Sequence, residues 1–319
     1  MATADQIKSL VKAHLDGNND KFKTTVLQIA AYEARQNHTK FARELKKLIE
    51  TQKVPKQNVI SMNKVNPMLQ MTLPENQLND LILSDEIKDR IIRILTEYKN
   101  KAKLEQFGLE NRRKILIEGP PGTGKTFTAS VIASELSLPL YTVQVDKLVT
   151  KFMGETSVKL RQIFESIENN VGVYFFDEFD AIGTDRSMDN EVGEMRRILN
   201  SFLQFFEQDS SQSIIIAATN NHKLLDQALF RRFDDVLHYT LPSGSEIESL
   251  FKYRLSVFQK GFKPTKMLIE KSKILSQAEL VKICDDAIKD SILYDRKITE
   301  EQLLNLVDER RGIYSNKEA

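Results

Sequence analysis

The residues best suited to chemistry are the eight of Gly119-Pro120-Pro121-Gly122-Thr123-Gly124-Lys125-Thr126. Three of the chain's 12 glycines sit here. Without a side chain, glycine lets the backbone turn its N–H groups inward and approach an anion closely. The spacing G-x-x-x-x-G-K-[ST] is that of a loop that cradles the phosphates of a nucleoside triphosphate. The apolar strand Ile115-Leu116-Ile117 comes directly before it, and a helical run from Phe127 to Leu136 directly after. The helix N-terminus behind the loop adds positive potential. Lys125 is expected to reach the β- and γ-phosphates, and the Thr126 hydroxyl to ligate Mg²⁺.

A second constellation is Val173-Tyr174-Phe175-Phe176-Asp177-Glu178. An apolar run marks a buried strand, and two carboxylates stand at its C-terminal end, where open α/β sheets bind ligands. Asp177 suits the Mg²⁺ shell. Glu178 suits a base that polarises an attacking water.

These groups need a scaffold that brings strand ends together. Ile115–Ile117, Tyr141–Val145, Val171–Phe176 and Ile214–Ala218 read as short strands, with helical patterns between them at Val158–Ile167 and Glu191–Phe206. Continuous apolar strands alternating with helices predict a mostly parallel sheet covered on both faces. After Pro242-Ser243-Gly244 the strand signal stops, and the rest reads as helices. The first fifty residues read as three short helices, around Ile7–Leu15, Phe22–Ala30 and Phe41–Ile49. Residues 52–77, with Pro55, Pro67, Pro74 and many Asn and Gln, read as a linker. The expected domains are therefore a helical bundle at 1–51, a linker at 52–77, an α/β nucleotide domain at 78–242 and a helical domain at 243–319.

Composition narrows the function. At 41% hydrophobic and 29% charged, the 319 residues can build a core and are not a wholly disordered chain. With 46 Lys+Arg against 45 Asp+Glu, the chain is not built to coat nucleic acid. Residues 1–75 carry a balance of +5 and the remainder −4, which reads either as solvated helix faces or as a front end that docks an acidic partner. One cysteine, Cys284, permits no internal disulfide and reads as a buried filler. No apolar run is long enough for a membrane helix and no secretory signal is recognisable, so a reducing cytoplasm is expected.

The order of motifs resembles an AAA ATPase of the clade of protein-unfolding and disassembly motors, over roughly residues 78–319. The resemblance rests on the phosphate loop, the Asp177-Glu178 pair, Ala218-Thr219-Asn220, and Leu225-Asp226-Gln227-Ala228-Leu229-Phe230-Arg231-Arg232-Phe233-Asp234. It implies that Asn220 contacts the attacking water or the γ-phosphate. It also implies that Arg231 and Arg232 act as fingers on the ATP of a neighbouring subunit. Many relatives separate these two arginines by Pro-Gly, and this chain does not. Either one could be the residue that touches phosphate. Lys151-Phe152-Met153-Gly154 resembles a substrate-gripping pore loop with Phe152 as the grip, and residues 184–192 a second one. Leu275–Leu280 resembles the start of a lid helix, here without an arginine sensor. The implied activity is ATP hydrolysis with Mg²⁺ in a homo-oligomer, a hexamer, that unfolds or remodels a protein substrate. An adaptor or protease partner would engage the N-terminal domain. A nucleic-acid motor or loader and a nucleotide-gated scaffold or regulator of a partner protease are the alternatives.

Overall fold

A computed structural model of the chain describes residues 8, 11–12, 19–35, 38, 41, 45, 66–148, 155–180, 191–221 and 230–315. The chain divides into two units, Met1–Asn63 and Lys64–Ala319. In the first, helix α1 (Asn19–Arg35) buries Val26, Ile29 and Ala30, a stripe at helical spacing. The helices expected around Ile7–Leu15 and Phe41–Ile49 lie almost wholly outside the described residues, as does 52–65 of the expected linker.

The second unit begins with β1 (Leu69–Thr72), α2 (Asp85–Lys99) and α3 (Lys101–Glu105). There follow β2 (Lys114–Glu118), α4 (Lys125–Glu135), β3 (Leu140–Val143), α5 (Val145–Leu148) and α6 (Glu155–Asn169). Next come β4 (Val173–Phe176), α7 (Glu191–Gln208), β5 (Ile214–Thr219) and β6 (Asp235–His238). Four helices close it: α8 (Gly244–Leu255), α9 (Lys266–Ser272), α10 (Gln277–Tyr294) and α11 (Glu300–Ser315).

The strands form one six-stranded sheet in the order β1-β3-β4-β5-β2-β6. All neighbours are parallel except β1, which pairs antiparallel with β3. The expected α/β architecture is present. Alternation along each strand sends side chains to opposite faces. Ile115, Ile117, Val173, Phe175, Ile214 and Ile216 join one core, together with Ile91 and Ile94 of α2 and Ile132 of α4. On the other face, Phe176 lies 5.3 Å edge-on to Phe202 of α7 and 6.4 Å from Phe164 of α6, and Phe202 stacks on Phe206 at 5.3 Å. Each such buried side chain contributes about 1.5–3 kcal/mol, so the central strands are held rigidly from both sides.

Both edge strands depart from the sequence reading. Leu69–Thr72 lies within the expected linker, yet pairs with β3 from Leu69↔Val143 to Thr72↔Leu140. Pro67 and Pro74 bracket the strand rather than interrupt it, and an edge strand needs partners on one side only. At the other edge, Asp235–His238 pairs with β2. Its buried Asp235 is ion-paired with Arg90 of α2 and with Arg112, whose Nη1 lies 3.3 Å from Oδ2.

After Pro242, Ser243 and Glu246 form a reciprocal cap that starts α8. Helices α8–α11 carry a core of their own, including Ile247, Phe251, Leu268, Leu280, Ile283 and Val307. Cys284 is fully buried within it, and burial pushes its thiol pKa up to about 12. Iodoacetamide in mildly alkaline solution is therefore expected to spare the native protein and to label Cys284 once denaturant opens this core; mass spectrometry reads the outcome. Prompt labelling of the folded chain would contradict the packing. Among the described residues, no helix is long and apolar enough to cross a membrane.

Candidate nucleotide site

The three neighbouring strands β4, β5 and β2 end side by side, and the candidate residues hang from those ends. The phosphate loop follows β2, Asp177-Glu178 follows β4, and Asn220 follows β5. Gly119 leaves β2 at φ +150°, with its N–H donating to the Thr219 carbonyl at 3.2 Å. A Cβ there would lie 2.3 Å from the Tyr239 carbonyl oxygen, so only glycine fits. Gly122, at φ +76°, meets the lid: a Cβ would come within 2.5 Å of Ser276 Oγ.

Thr123 Oγ1 donates to the Pro120 carbonyl at 2.8 Å and fixes the turn. Among the described residues, the N–H groups of Gly122, Thr123 and Gly124 donate to no backbone carbonyl. Unpaired donors ahead of α4 are what an anion would satisfy. The ammonium of Lys125 sits among three oxygens: Gly119 O at 2.7 Å, Pro120 O at 2.8 Å and Asn220 Oδ1 at 2.7 Å. Burial lowers its pKa, and the Asp177 and Asp180 carboxylates oppose that shift. The lysine and the asparagine drawn from distant parts of the sequence are thus in direct contact.

Thr126 Oγ1 donates to Asp177 Oδ2 at 3.1 Å, which brings together the two oxygen groups expected at Mg²⁺. Hard oxygen donors suit that ion. Glu178 adopts a left-handed backbone, φ +50°, uncommon for a residue with a side chain. Its N–H donates to Asp177 Oδ1 at 2.9 Å, and the next N–H, of Phe179, donates to the Ala218 carbonyl at 2.8 Å. Those bonds hold the turn that leaves Glu178 exposed on the cavity wall.

The cavity has a volume of about 770 Å³ and runs from the phosphate loop to an apolar end. That end is lined by Leu81, Leu83, Phe127, Leu250 and Val281. The Tyr253 hydroxyl of α8 donates to Asp80 beside it, and this bond, followed by one from the Gln77 N–H, holds the Asp80 carboxyl below its usual pKa. Asp80, Tyr253 and the apolar lining were not candidates from sequence. Leu81-Ile82-Leu83 ahead of a capped helix was a usable signal, whereas Tyr253 offered none, because only the lid's placement gives it a role.

Arg231 and Arg232 do not line the cavity of their own chain. Arg232 Nε is ion-paired with Glu207. Arg231 is exposed and makes no ion pair among the described residues. Residues 151–154 and 181–190, which hold the expected pore loops up to the start of α7, lie outside the described residues.

Known proteins are similar to this chain in sequence. Residues 115–241 match the family described as AAA, ATPase family associated with various cellular activities. An uncharacterized AAA family ATPase, y4kL, of Sinorhizobium fredii is 33% identical over 321 residues, 98% of this chain and 96% of the relative. The ATP-dependent zinc metalloprotease FtsH of Mycoplasmopsis synoviae is 31% identical over 239 residues, 72% of this chain but 36% of the relative. A putative 26S proteasome regulatory subunit homolog, MJ1494, of Methanocaldococcus jannaschii is 28% identical over 250 residues, 76% of this chain and 66% of the relative.

Proposed function

Since this chain belongs to the AAA family of ATPases and hydrolyses ATP, we propose that it does so as an oligomeric motor that remodels or unfolds proteins. In this reading the free N–H groups of residues 122–124 and the Lys125 ammonium bind the phosphates. Lys125 exchanges its three protein oxygens for phosphate oxygens, and Asn220 is released to orient the attacking water. Glu178, held outward by its left-handed turn, takes a proton from that water. Thr126 and Asp177 would hold Mg²⁺, which supplies charge neutralisation for the triphosphate.

The observation that carries the oligomer is the contrast between the two arginines. Arg232 is engaged by Glu207, whereas Arg231 is exposed, without an ion pair among the described residues and outside its own cavity. Arg231 is therefore the finger that reaches the phosphates of a neighbouring copy, and Arg232 braces the segment that presents it. A ring, a hexamer, satisfies every such site. Phe152, between Lys151 and Met153-Gly154, grips the polypeptide, and the basic N-terminal region selects the target, adaptor or protease. A metalloprotease and a proteasome-subunit homologue among the relatives support work on protein.

Phe152→Ala is expected to keep ATPase activity within about twofold and to lose stimulation by unfolded protein together with its processing. Processing that survives the substitution would end the motor reading. Stimulation by DNA and not by unfolded protein would favour a nucleic-acid motor instead.

A further inference from the structure

We propose that Tyr239 is a positioning residue for the phosphate loop, its hydroxyl aiming the backbone N–H of Lys125 at the bound nucleotide through Thr128 and Gly124. The proposal rests on the reading that this loop binds a nucleoside triphosphate, and names a residue outside the cavity on which that binding depends.

Tyr239 directly follows β6, and Thr128 stands one turn into α4. Both are buried. Tyr239 belongs to the apolar core with Ile117, Ile132 and Leu237, a place that phenylalanine would fill as well. Its hydroxyl oxygen lies 2.6 Å from Thr128 Oγ1. Thr128 Oγ1 in turn lies 3.1 Å from the Gly124 carbonyl oxygen, which can only accept. The single hydroxyl hydrogen of Thr128 is thus spent on Gly124, and the phenol is the donor to Thr128. Burial raises the phenol pKa, so that proton stays in place. Two buried hydroxyls that would be unfavourable unpaired form a directed chain, Tyr239 to Thr128 to Gly124, each bond polarising the next.

The far end of the chain sets a peptide plane. Gly124 caps α4 in a left-handed conformation, φ +95°, with no side-chain hydrogen bond of its own to hold it. Its carbonyl accepts the Thr128 N–H at 2.9 Å as well as the Thr128 hydroxyl. The Gly124–Lys125 peptide is trans and planar, so its N–H points opposite to its carbonyl. With the carbonyl held along α4, the Lys125 N–H faces out of the helix N-terminus, where it donates to no backbone carbonyl among the described residues. Tyr239 also meets the start of the loop. Its N–H donates to the Glu118 carbonyl at 2.7 Å, and its carbonyl oxygen leaves no room for a Cβ on Gly119. One residue touches the first loop position with its backbone and steadies the last glycine through its side chain.

The test measures ATP and ADP binding to the full chain, Tyr239→Phe, Thr128→Val, the double variant and Thr128→Ser, together with the phosphorus NMR resonance of the β-phosphate of bound ADP. Tyr239→Phe and Thr128→Val are each expected to weaken both nucleotides about three- to tenfold, the usual weight of one hydrogen bond, and to shift the β-phosphate resonance. The double variant should lose no more than Thr128→Val alone, because either substitution cuts the same chain. Thr128→Ser keeps the hydroxyl and should bind both nucleotides within about twofold of wild type, with the resonance in place. A purely structural role for the pair would lower the melting temperature of Tyr239→Phe and leave its affinity and the resonance where they are; that result overturns the proposal. Losses that multiply in the double variant overturn it too, and so does a Thr128→Ser that behaves as Thr128→Val. A wild type that binds neither nucleotide has a different meaning: it removes the nucleotide reading, and this proposal with it.

Discussion

Lys125→Ala is expected to weaken ATP binding about a hundredfold, the scale of losing a charge-assisted contact to phosphate. Calorimetric titration measures it. The fold should survive, because the ammonium makes its hydrogen bonds only to two loop carbonyls and one amide oxygen, and alanine suits the first turn of α4. An affinity within about threefold of wild type, in a protein that melts normally, would remove Lys125 from the site. The sign of the pH dependence follows from its environment. Burial lowers the lysine pKa, so its positive charge is lost earlier than usual as pH rises. ATP affinity of the wild type should fall on the alkaline side, and Lys125→Ala should not show that fall.

Arg231→Ala is expected to reduce turnover by about a thousandfold or more, the range of an arginine finger supplied in trans, while ATP affinity changes little. Arg232→Ala should do less, acting through the lost pairing with Glu207. Glu178→Gln should be nearly inactive, with ATP retained. Mixing Arg231→Ala with Glu178→Gln then provides the discriminating measurement. Where an Arg231→Ala copy supplies Glu178 and its neighbour supplies Arg231, one site is complete, and part of the activity returns. Steady-state phosphate release follows it. If Arg231→Ala turns over within about threefold of wild type, or if the mixture stays dead, hydrolysis is completed inside one chain.

The legibility of this molecule in its sequence follows the density of local constraint. The phosphate loop and Asp177-Glu178 were readable because their chemistry demands specific residue types at fixed spacing beside a buried strand. The central strands β2, β4 and β5 were readable because burial on both faces makes them continuous apolar runs. The edges were not. Leu69–Thr72 alternates in burial and sits between prolines, and Asp235–His238 contains two polar residues in four, because an edge strand is covered less. Tyr253 and Asp80 meet across 173 positions of sequence, a contact that no local pattern encodes. Gln277 offers no signal in the sequence. Its place on the cavity wall, buried with an unpaired oxygen, is a property of the packed state. The two arginines were equivalent on paper and differ only because Glu207 comes within reach of one of them.

The candidate cavity has walls from two separately packed cores: Leu81 and Leu83 belong to the core on the sheet, and Leu250 to the core of the C-terminal helices. A molecule lodged there is a wedge whose grip depends on the angle between its two jaws. Thermodynamic reciprocity then applies. If binding ATP favours one angle between the two walls, holding that angle by other means raises the affinity for ATP by the same factor. A partner that touches only the outer side of the helical jaw could therefore govern fuel uptake without approaching the triphosphate.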